Sequence, residues 1–238
     1  MATGILYLIP TPLGEDDAAL GAIPEEVRQI VAGLDSFVVE HPKTARRHLK
    51  QLGISRPLQE IHLAELNEHT PATTVSALLQ PLLEGKNVGL MSEAGCPAVA
   101  DPGADLVRLA HQHGIRVIPL AGPSSILLAL MASGLNGQSF AFHGYLPVDK
   151  AERSKRIKEL EAESLRLKRT QIFIETPYRN RRLLDDLQSS CKPSTLVTVA
   201  VDLTLPTQSI HTRTINEWKK QSPDLDKRPA IFLLLSPS

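Results

Sequence analysis

The sequence predicts an α/β protein built from two α/β domains, and three observations support this fold class. Short apolar runs alternate with helical stretches along the first half of the chain. Aromatic residues make up only 4% of the sequence, so the core must be built from Leu, Ile, Val and Ala, as in many parallel sheets. Two apolar runs in the second half, 196–201 and 207–213, are joined by a short link, which indicates an antiparallel component.

The first half predicts strands that alternate with helices. The apolar run Ile5 to Ile9 is ended by Pro10, as expected of a buried strand followed by a rigid loop. Pro24 precedes two glutamates, a combination typical of a helix start. Glycines mark the ends of the helices. We therefore predict strands over 5–9, 36–39, 87–91 and 115–118, and helices over 24–33, 44–52, 71–83 and 105–113.

The second half changes character, and we place the domain boundary between residues 119 and 120. The domains are then 1–119 and 120–238. Asp149 begins a long charged helix that extends to about Lys168. Strands are predicted over 140–144, 171–175, 196–201, 209–211 and 230–235, and helices over 126–132, 149–168 and 180–190.

Composition narrows the class of protein. The two cysteines, Cys96 and Cys191, have no spacing typical of a zinc site or a disulfide framework, which favours a cytoplasmic protein. The apolar runs are too short to span a membrane, and no signal peptide is predicted. Glu68 and His69 have no further ligand at helical spacing, so we expect no metal site.

The net charge is zero, but it is unevenly distributed. Residues 1–119 carry 9 basic and 14 acidic side chains, and residues 120–238 carry 17 and 12. Within 150–182 there are 11 basic and 5 acidic side chains. This segment is either a surface for a polyanion or a solvated helix face.

Three loops that follow predicted strands are candidates for ligand binding. The loop from Ser92 to Asp101 contains small residues and acids, and ligands of open α/β sheets bind at this edge. Gly122-Pro123-Ser124-Ser125 opens a helix, where free backbone N–H groups are available. Pro10 to Gly14 forms a rigid turn after the first strand. Taken singly, the first and third loops are better explained as structural turns, whereas in the second a serine helix cap and a ligand site are compatible with each other.

Together these segments resemble the tetrapyrrole methylase superfamily, the class III S-adenosylmethionine-dependent methyltransferases. Within it they are most similar to the branch that methylates a cytidine ribose of bacterial 16S ribosomal RNA at the 2′-hydroxyl. The resemblance covers roughly residues 4–236 and is carried by five segments in matching order: 7–14, 87–103, 119–134, 143–147 and 172–179.

The resemblance implies that S-adenosylmethionine is the methyl donor and binds in a cleft between the two domains. It assigns donor binding to Pro12, Ser92, Glu93, Ala94, Gly95, Cys96, Pro97, Ser125, Ile126, Ile174, Asp202 and Ala230. A ribose hydroxyl needs a base or a strong hydrogen-bond acceptor, for which Glu40, Glu175 and His143 are the candidates. The resemblance further implies a homodimer acting on ribosomal RNA or the small ribosomal subunit.

Three departures from the family pattern affect the segments expected to bind the methyl acceptor more than those expected to bind S-adenosylmethionine. The Glu-Asp-Thr-Arg motif is replaced by Glu40-His41-Pro42-Lys43-Thr44, and a basic residue after Asp202 is lost. The resemblance is to a short form without the helical C-terminal extension. An RNA 2′-O-methyltransferase, a small-molecule methyltransferase of the tetrapyrrole type and an inactive donor-binding protein are therefore all compatible with the sequence.

Overall fold

The computed structural model describes residues 3–237. The chain divides into two compact units, Met1–Ser124 and Ser125–Ser238. The division falls after Ser124, whereas the sequence prediction places it after Pro119. Each unit contains one five-stranded sheet with helices, which confirms the predicted α/β class with two α/β domains.

The first unit is built on a wholly parallel sheet with the strand order β3-β2-β4-β1-β5. Strands β2 and β4 are apolar and buried along their whole length, as expected for the centre of a parallel sheet. Alternate residues of the strands pack into two separate cores on the two faces of the sheet. The strands are β1 Ile5–Leu8, β2 Ser36–Val39, β3 His62–Glu65, β4 Val88–Met91 and β5 Arg116–Pro119.

The prediction for this unit missed one strand and merged several helical turns. Strand β3 lies at the sheet edge with both ends exposed, so it lacks the apolar run that identifies the other strands. The segment predicted as a helix over 71–83 is helical over 72–83, but a 3₁₀ turn interrupts the α-helix before Pro81, which has no N–H to donate to the preceding turn. The helices are α1 Glu25–Ala32, α2 Pro42–Gln51, α3 Ala72–Val75, α4 Gln80–Leu83 and α5 Ala104–Gln112, with 3₁₀ turns at Asp17–Ala22 and Ser76–Leu79.

The second unit is built on a mixed sheet with the order β6-β7-β10-β8-β9. Strands β6 and β7 are parallel and the remaining pairs are antiparallel, which confirms the predicted antiparallel component. The strands are β6 Phe140–Tyr145, β7 Thr170–Ile174, β8 Leu196–Val201, β9 Ser209–Thr214 and β10 Ala230–Leu235.

Helices α7, α8 and α9 bury one face of this sheet, and α6 contacts the other face through the bond from Thr212 Oγ1 to the Ser133 carbonyl. Helices α7 and α8 pack on each other, and their apolar residues join Phe173, Phe232 and Trp218 in one core. Asp149 caps α7 through the Glu152 amide, as expected for the predicted start of this helix. The helices are α6 Ser125–Ser133, α7 Lys150–Leu167, α8 Asn180–Ser190 and α9 Ile215–Trp218. Among residues 3–237, no helix is both long and apolar enough to cross a membrane.

Candidate functional site

The predicted site residues of the first unit lie at one edge of its sheet. Since β1, β2, β4 and β5 are parallel, the segments that follow them all emerge at the carboxyl edge. Pro12 follows β1, Glu40 follows β2 and Ser92 follows β4. The structure therefore brings the loops 10–14, 92–101 and 120–124 to a common edge, the position at which α/β sheets bind ligands.

The loop 92–97 is tied to its two neighbours by backbone contacts. Thr11 and Gly95 exchange two hydrogen bonds, with N···O distances of 2.9 and 3.1 Å. Gly95 has a φ of +78°, a conformation that glycine adopts without steric cost. A Cβ at Gly95 would lie 3.2 Å from Leu13 Cδ2. The Cys96 thiol lies 3.6 Å from the Pro123 carbonyl oxygen, which links the loop to the segment after β5.

Helix α2 holds the same loop from the other side. Thr44 Oγ1 donates to Glu93 Oε2 at 3.2 Å, and His48 Nε2 lies 3.1 Å from the Glu93 carbonyl oxygen. His48 is buried, and its Nδ1 atom has no hydrogen-bond partner among the described residues. Burial lowers the pKa of His48, so the neutral ring donates through Nε2. The sequence prediction did not identify Thr44 or His48, although their spacing of four places them on one helix face.

Three carboxyl groups converge beside this loop. The Glu93 amide donates to Glu40 Oε2 at 3.4 Å. Burial raises the pKa of Glu40, and the Asp101 carboxylate raises it further. Burial also raises the pKa of Asp101, an effect that the nearby Ser92 hydroxyl partly offsets. Glu40 is therefore held as a half-buried carboxyl whose affinity for a proton is above that of a free glutamate.

Asp101 begins the turn Asp101-Pro102-Gly103 before α5 and is not among the predicted site residues. The chain on either side of Asp101 has unusual backbone conformations, since Ala98 and Ala100 have φ near +65° and Gly103 has a φ of +131°. These conformations lead the chain from the loop 92–97 through Asp101 to the start of α5. Among residues 3–237, no three His, Cys, Asp or Glu side chains are arranged to hold a metal ion.

In the second unit, the register of the strands places three predicted residues at one sheet edge. Ile174 ends β7 and lies beside Ile231, while Ala230 begins β10 and lies beside Val201. Asp202 follows Val201 directly. The carboxyl ends of β7 and β8 and the start of β10 thus meet. Ser125 and Ile126 form the first turn of α6, which packs on β8, β9 and β10.

Glu175 and Asp202 are held by strong local partners. Glu175 Oε1 accepts hydrogen bonds from the Thr176 amide at 2.7 Å and from Arg179 Nη2 at 2.6 Å. Asp202 Oδ2 accepts from Arg228 Nε at 2.9 Å and from Thr207 Oγ1 at 2.7 Å. Both carboxylates therefore stabilise the loops that carry them.

His143 lies on β6 between two polar neighbours. Its Nε2 atom is 2.6 Å from Gln171 Oε1, and Arg156 Nη2 lies 3.5 Å from its Nδ1 atom. Since arginine only donates, this arrangement assigns the proton to Nε2. Of the three predicted catalytic residues, Glu40 lies in the first unit, whereas His143 and Glu175 lie in the second.

Comparisons with known proteins agree with the resemblance found in the sequence. Residues 6–219 match the family of Tetrapyrrole (Corrin/Porphyrin) Methylases. The chain is 33% identical to the "Ribosomal RNA small subunit methyltransferase I" of Escherichia coli O157:H7, over 97% of this chain and 77% of that protein. It is 30% identical to the protein of the same name from Haemophilus influenzae, over 98% of this chain and 78% of that protein.

Solved structures share the fold at low identity. The methyltransferase CobJ superposes with a TM-score of 0.63 at 19% identity, covering 99% of this chain and 95% of that chain. The cobalt precorrin-4 methyltransferase CbiF superposes with a TM-score of 0.59 at 17% identity, covering 97% and 94%. At these identities the likeness concerns the fold alone.

Proposed function

Since the chain belongs to the tetrapyrrole methylase family, we propose that it methylates a ribose 2′-hydroxyl of small-subunit ribosomal RNA. The chain is an S-adenosylmethionine-dependent methyltransferase. The observation that carries the choice of substrate is similarity along nearly the whole chain to enzymes named for methylating small-subunit ribosomal RNA. The competing tetrapyrrole substrate rests on the description of the family as a whole and on solved structures that share the fold at 17% and 19% identity.

The first unit has features that fit the proposed methyl donor. The Ser92 hydroxyl is buried at the carboxyl edge and makes no well-formed hydrogen bond with any described residue. A buried hydroxyl whose contact with the Asp101 carboxylate is not a well-formed hydrogen bond is costly, and a polar ligand would complete its hydrogen bonding. Next to it, Ala94 and Gly95 leave room for close approach to the backbone. S-adenosylmethionine supplies a methyl group bonded to a positively charged sulfur, which makes this carbon open to nucleophilic attack.

We assign donor binding to residues of both units. In the first unit the candidates surround the loop after β4. In the second unit they lie at the edge formed by β7, β8 and β10. The proposed residues are Pro12, Ser92, Glu93, Ala94, Gly95, Cys96 and Pro97 in the first unit, and Ser125, Ile126, Ile174, Asp202 and Ala230 in the second.

Among the three predicted bases, the contacts favour Glu40. Glu175 Oε1 is already occupied, since it accepts hydrogen bonds from the Thr176 amide and from Arg179. His143 offers Nδ1 to Arg156 and uses its Nε2 proton toward Gln171. Glu40 accepts one long hydrogen bond, and its pKa is raised by burial, so it is the better acceptor for the proton of an attacking hydroxyl.

We also propose that the protein acts as a cytoplasmic homodimer. Helix α6 is apolar around its circumference, and Leu127 and Met131, four residues apart, are 51% and 79% exposed. A second copy that covers this face would bury both side chains. Analytical ultracentrifugation tests this assembly, and a monomer at micromolar concentration would contradict it.

The function is tested by methyl transfer from tritiated S-adenosylmethionine to small ribosomal subunits that lack the endogenous methyl groups. We expect label in the RNA with the wild-type enzyme. Glu40→Gln keeps the shape of the side chain but cannot accept a proton, so we expect transfer to fall by about 10²- to 10⁴-fold. Its affinity for S-adenosylhomocysteine should stay close to that of the wild type. Label in a tetrapyrrole acceptor and none in RNA would contradict the proposal.

A further inference from the structure

Among the described residues, Tyr178 has the largest exposed fraction of the large hydrophobic side chains at the surface. Its exposed fraction is 81%, and it lies in the turn between β7 and α8. Tyr145, at the end of β6, is 57% exposed and lies beside Ile174, the last residue of β7. Both rings are thus at the carboxyl edge of the parallel pair β6–β7, next to the predicted site residues of this unit.

The turn that carries Tyr178 is rigidly held on both sides of the ring. The Arg179 amide donates to the Thr176 carbonyl at 2.9 Å, which closes the turn. The Glu175 carboxylate is buried and receives both the Thr176 amide and the Arg179 guanidinium, with Arg179 Nε at 3.0 Å. This ion pair, whose carboxylate is buried, therefore fixes the backbone that presents an exposed ring. A backbone held in this way loses little conformational entropy when the ring binds a flat partner.

The surroundings of Tyr178 are positively charged. Arg181 and Arg182 follow it in the first turn of α8, and Lys150 begins α7 near the end of β6. Arg181 pairs with Asp185 at 3.3 Å, whereas Arg182 and Lys150 have no ion-pair partner within residues 3–237. The segment 150–182 as a whole carries 11 basic and 5 acidic side chains. An exposed aromatic ring four residues before the exposed, unpaired Arg182 complements the flat bases and the phosphates of a nucleic acid.

We propose that Tyr178 is a stacking platform for an unpaired base of the RNA substrate, with Arg182 and Lys150 contacting the flanking phosphates. This inference rests on the proposed function and extends it to substrate recognition. Proteins read single-stranded RNA by stacking splayed bases on aromatic side chains. A single-stranded substrate is also accessible to an enzyme that must reach a ribose hydroxyl.

The proposal is tested with Tyr178→Ala and Tyr178→Phe, and with Leu165→Ala as a matched control. Leu165 is also a partly exposed apolar residue of the second unit, on α7. The probe is a fluorescein-labelled single-stranded oligoribonucleotide, measured by anisotropy. We expect Tyr178→Ala to weaken binding by about 5- to 150-fold, the range for loss of one stacked base. Tyr178→Phe and Leu165→Ala should bind as the wild type does.

Further readouts separate a binding role from a structural one and from the proposed function. Tyr178→Ala should raise KM for small ribosomal subunits, while the Kd for S-adenosylhomocysteine, the melting temperature and the oligomeric state stay unchanged. If the wild type and Tyr178→Ala bound the oligoribonucleotide with equal affinity, the stacking role of Tyr178 would be overturned. It would also be overturned if Tyr178→Ala changed the oligomeric state and left the RNA affinity unchanged. Failure of the wild type to methylate subunits would overturn the proposed function instead, and the oligoribonucleotide comparison would still decide the platform.

Discussion

Replacing Gly95 by alanine perturbs the loop 92–97 at its most constrained point. The φ of +78° costs an alanine about 1–2 kcal/mol relative to glycine. The new Cβ would also lie 3.2 Å from Leu13 Cδ2 and 3.6 Å from the Pro123 carbonyl oxygen. Either Leu13 or the backbone at Gly95 must then move by a few tenths of an ångström, which disturbs the contact between the loops 10–14 and 92–97. We expect a lower free energy of unfolding and roughly tenfold weaker donor binding, equivalent to about 1.4 kcal/mol.

Gly114→Ala separates backbone strain from the effect on the site. Gly114 has a similar φ of +66°, but a Cβ there would meet no atom within 4 Å. Urea unfolding should therefore show a comparable loss of about 1–2 kcal/mol in both variants. Calorimetric titration with S-adenosylhomocysteine should show weaker binding only in Gly95→Ala. Wild-type donor affinity in Gly95→Ala would refute the assignment of this loop to the donor site.

Three further predictions concern buried ionisable groups. Arg153→Met leaves the buried Asp186 carboxylate without its partner at 2.6 Å, so urea unfolding should show that the free energy of unfolding falls by about 3–5 kcal/mol. Adding Asp186→Leu in the same chain should largely restore it. An unchanged free energy of unfolding in Arg153→Met would contradict this reasoning. Because the pKa of His48 is lowered from 6.5, the folded state binds fewer protons than the unfolded state, and stability should fall as the pH drops below 6.5. His48→Gln should remove that part of the pH dependence, and thermal melts across this range that are parallel for the two proteins would speak against it. Because the pKa of Glu40 is raised from 4.5, kcat/KM should increase with pH through a value above 4.5, and an acid limb at or below 4.5 would exclude Glu40 as the base.

The sequence was sufficient for most strands and for the long helices, because their signals are local. Strand β10 and helix α8 begin and end where the apolar runs and the helical periodicity predict. Strand β3 could not be predicted, because an edge strand contacts the core too little to need an apolar run. The break at Pro81 could have been predicted, but the leucines on either side of it fit one continuous helix.

For the candidate site, the sequence identified the loops but not the contacts between them. His48 contacts Glu93 across 45 positions of the chain, and no local pattern indicates such a pair. Asp202 and Arg228 are likewise 26 positions apart. The pair Glu175–Arg179 is only four positions apart, but it lies in the turn before α8, where the helical spacing rule does not apply.

The position of the transferred methyl group tests the account most directly. Small ribosomal subunits would be incubated with the enzyme and a donor carrying a deuterated methyl group, and the RNA digested to nucleosides for mass spectrometry. The account predicts that the deuterated methyl group is found on the ribose of a single nucleoside. The base fragment of that nucleoside should carry no deuterium. Deuterium on a base, or none in the RNA while the enzyme binds S-adenosylhomocysteine, would contradict 2′-O-methylation.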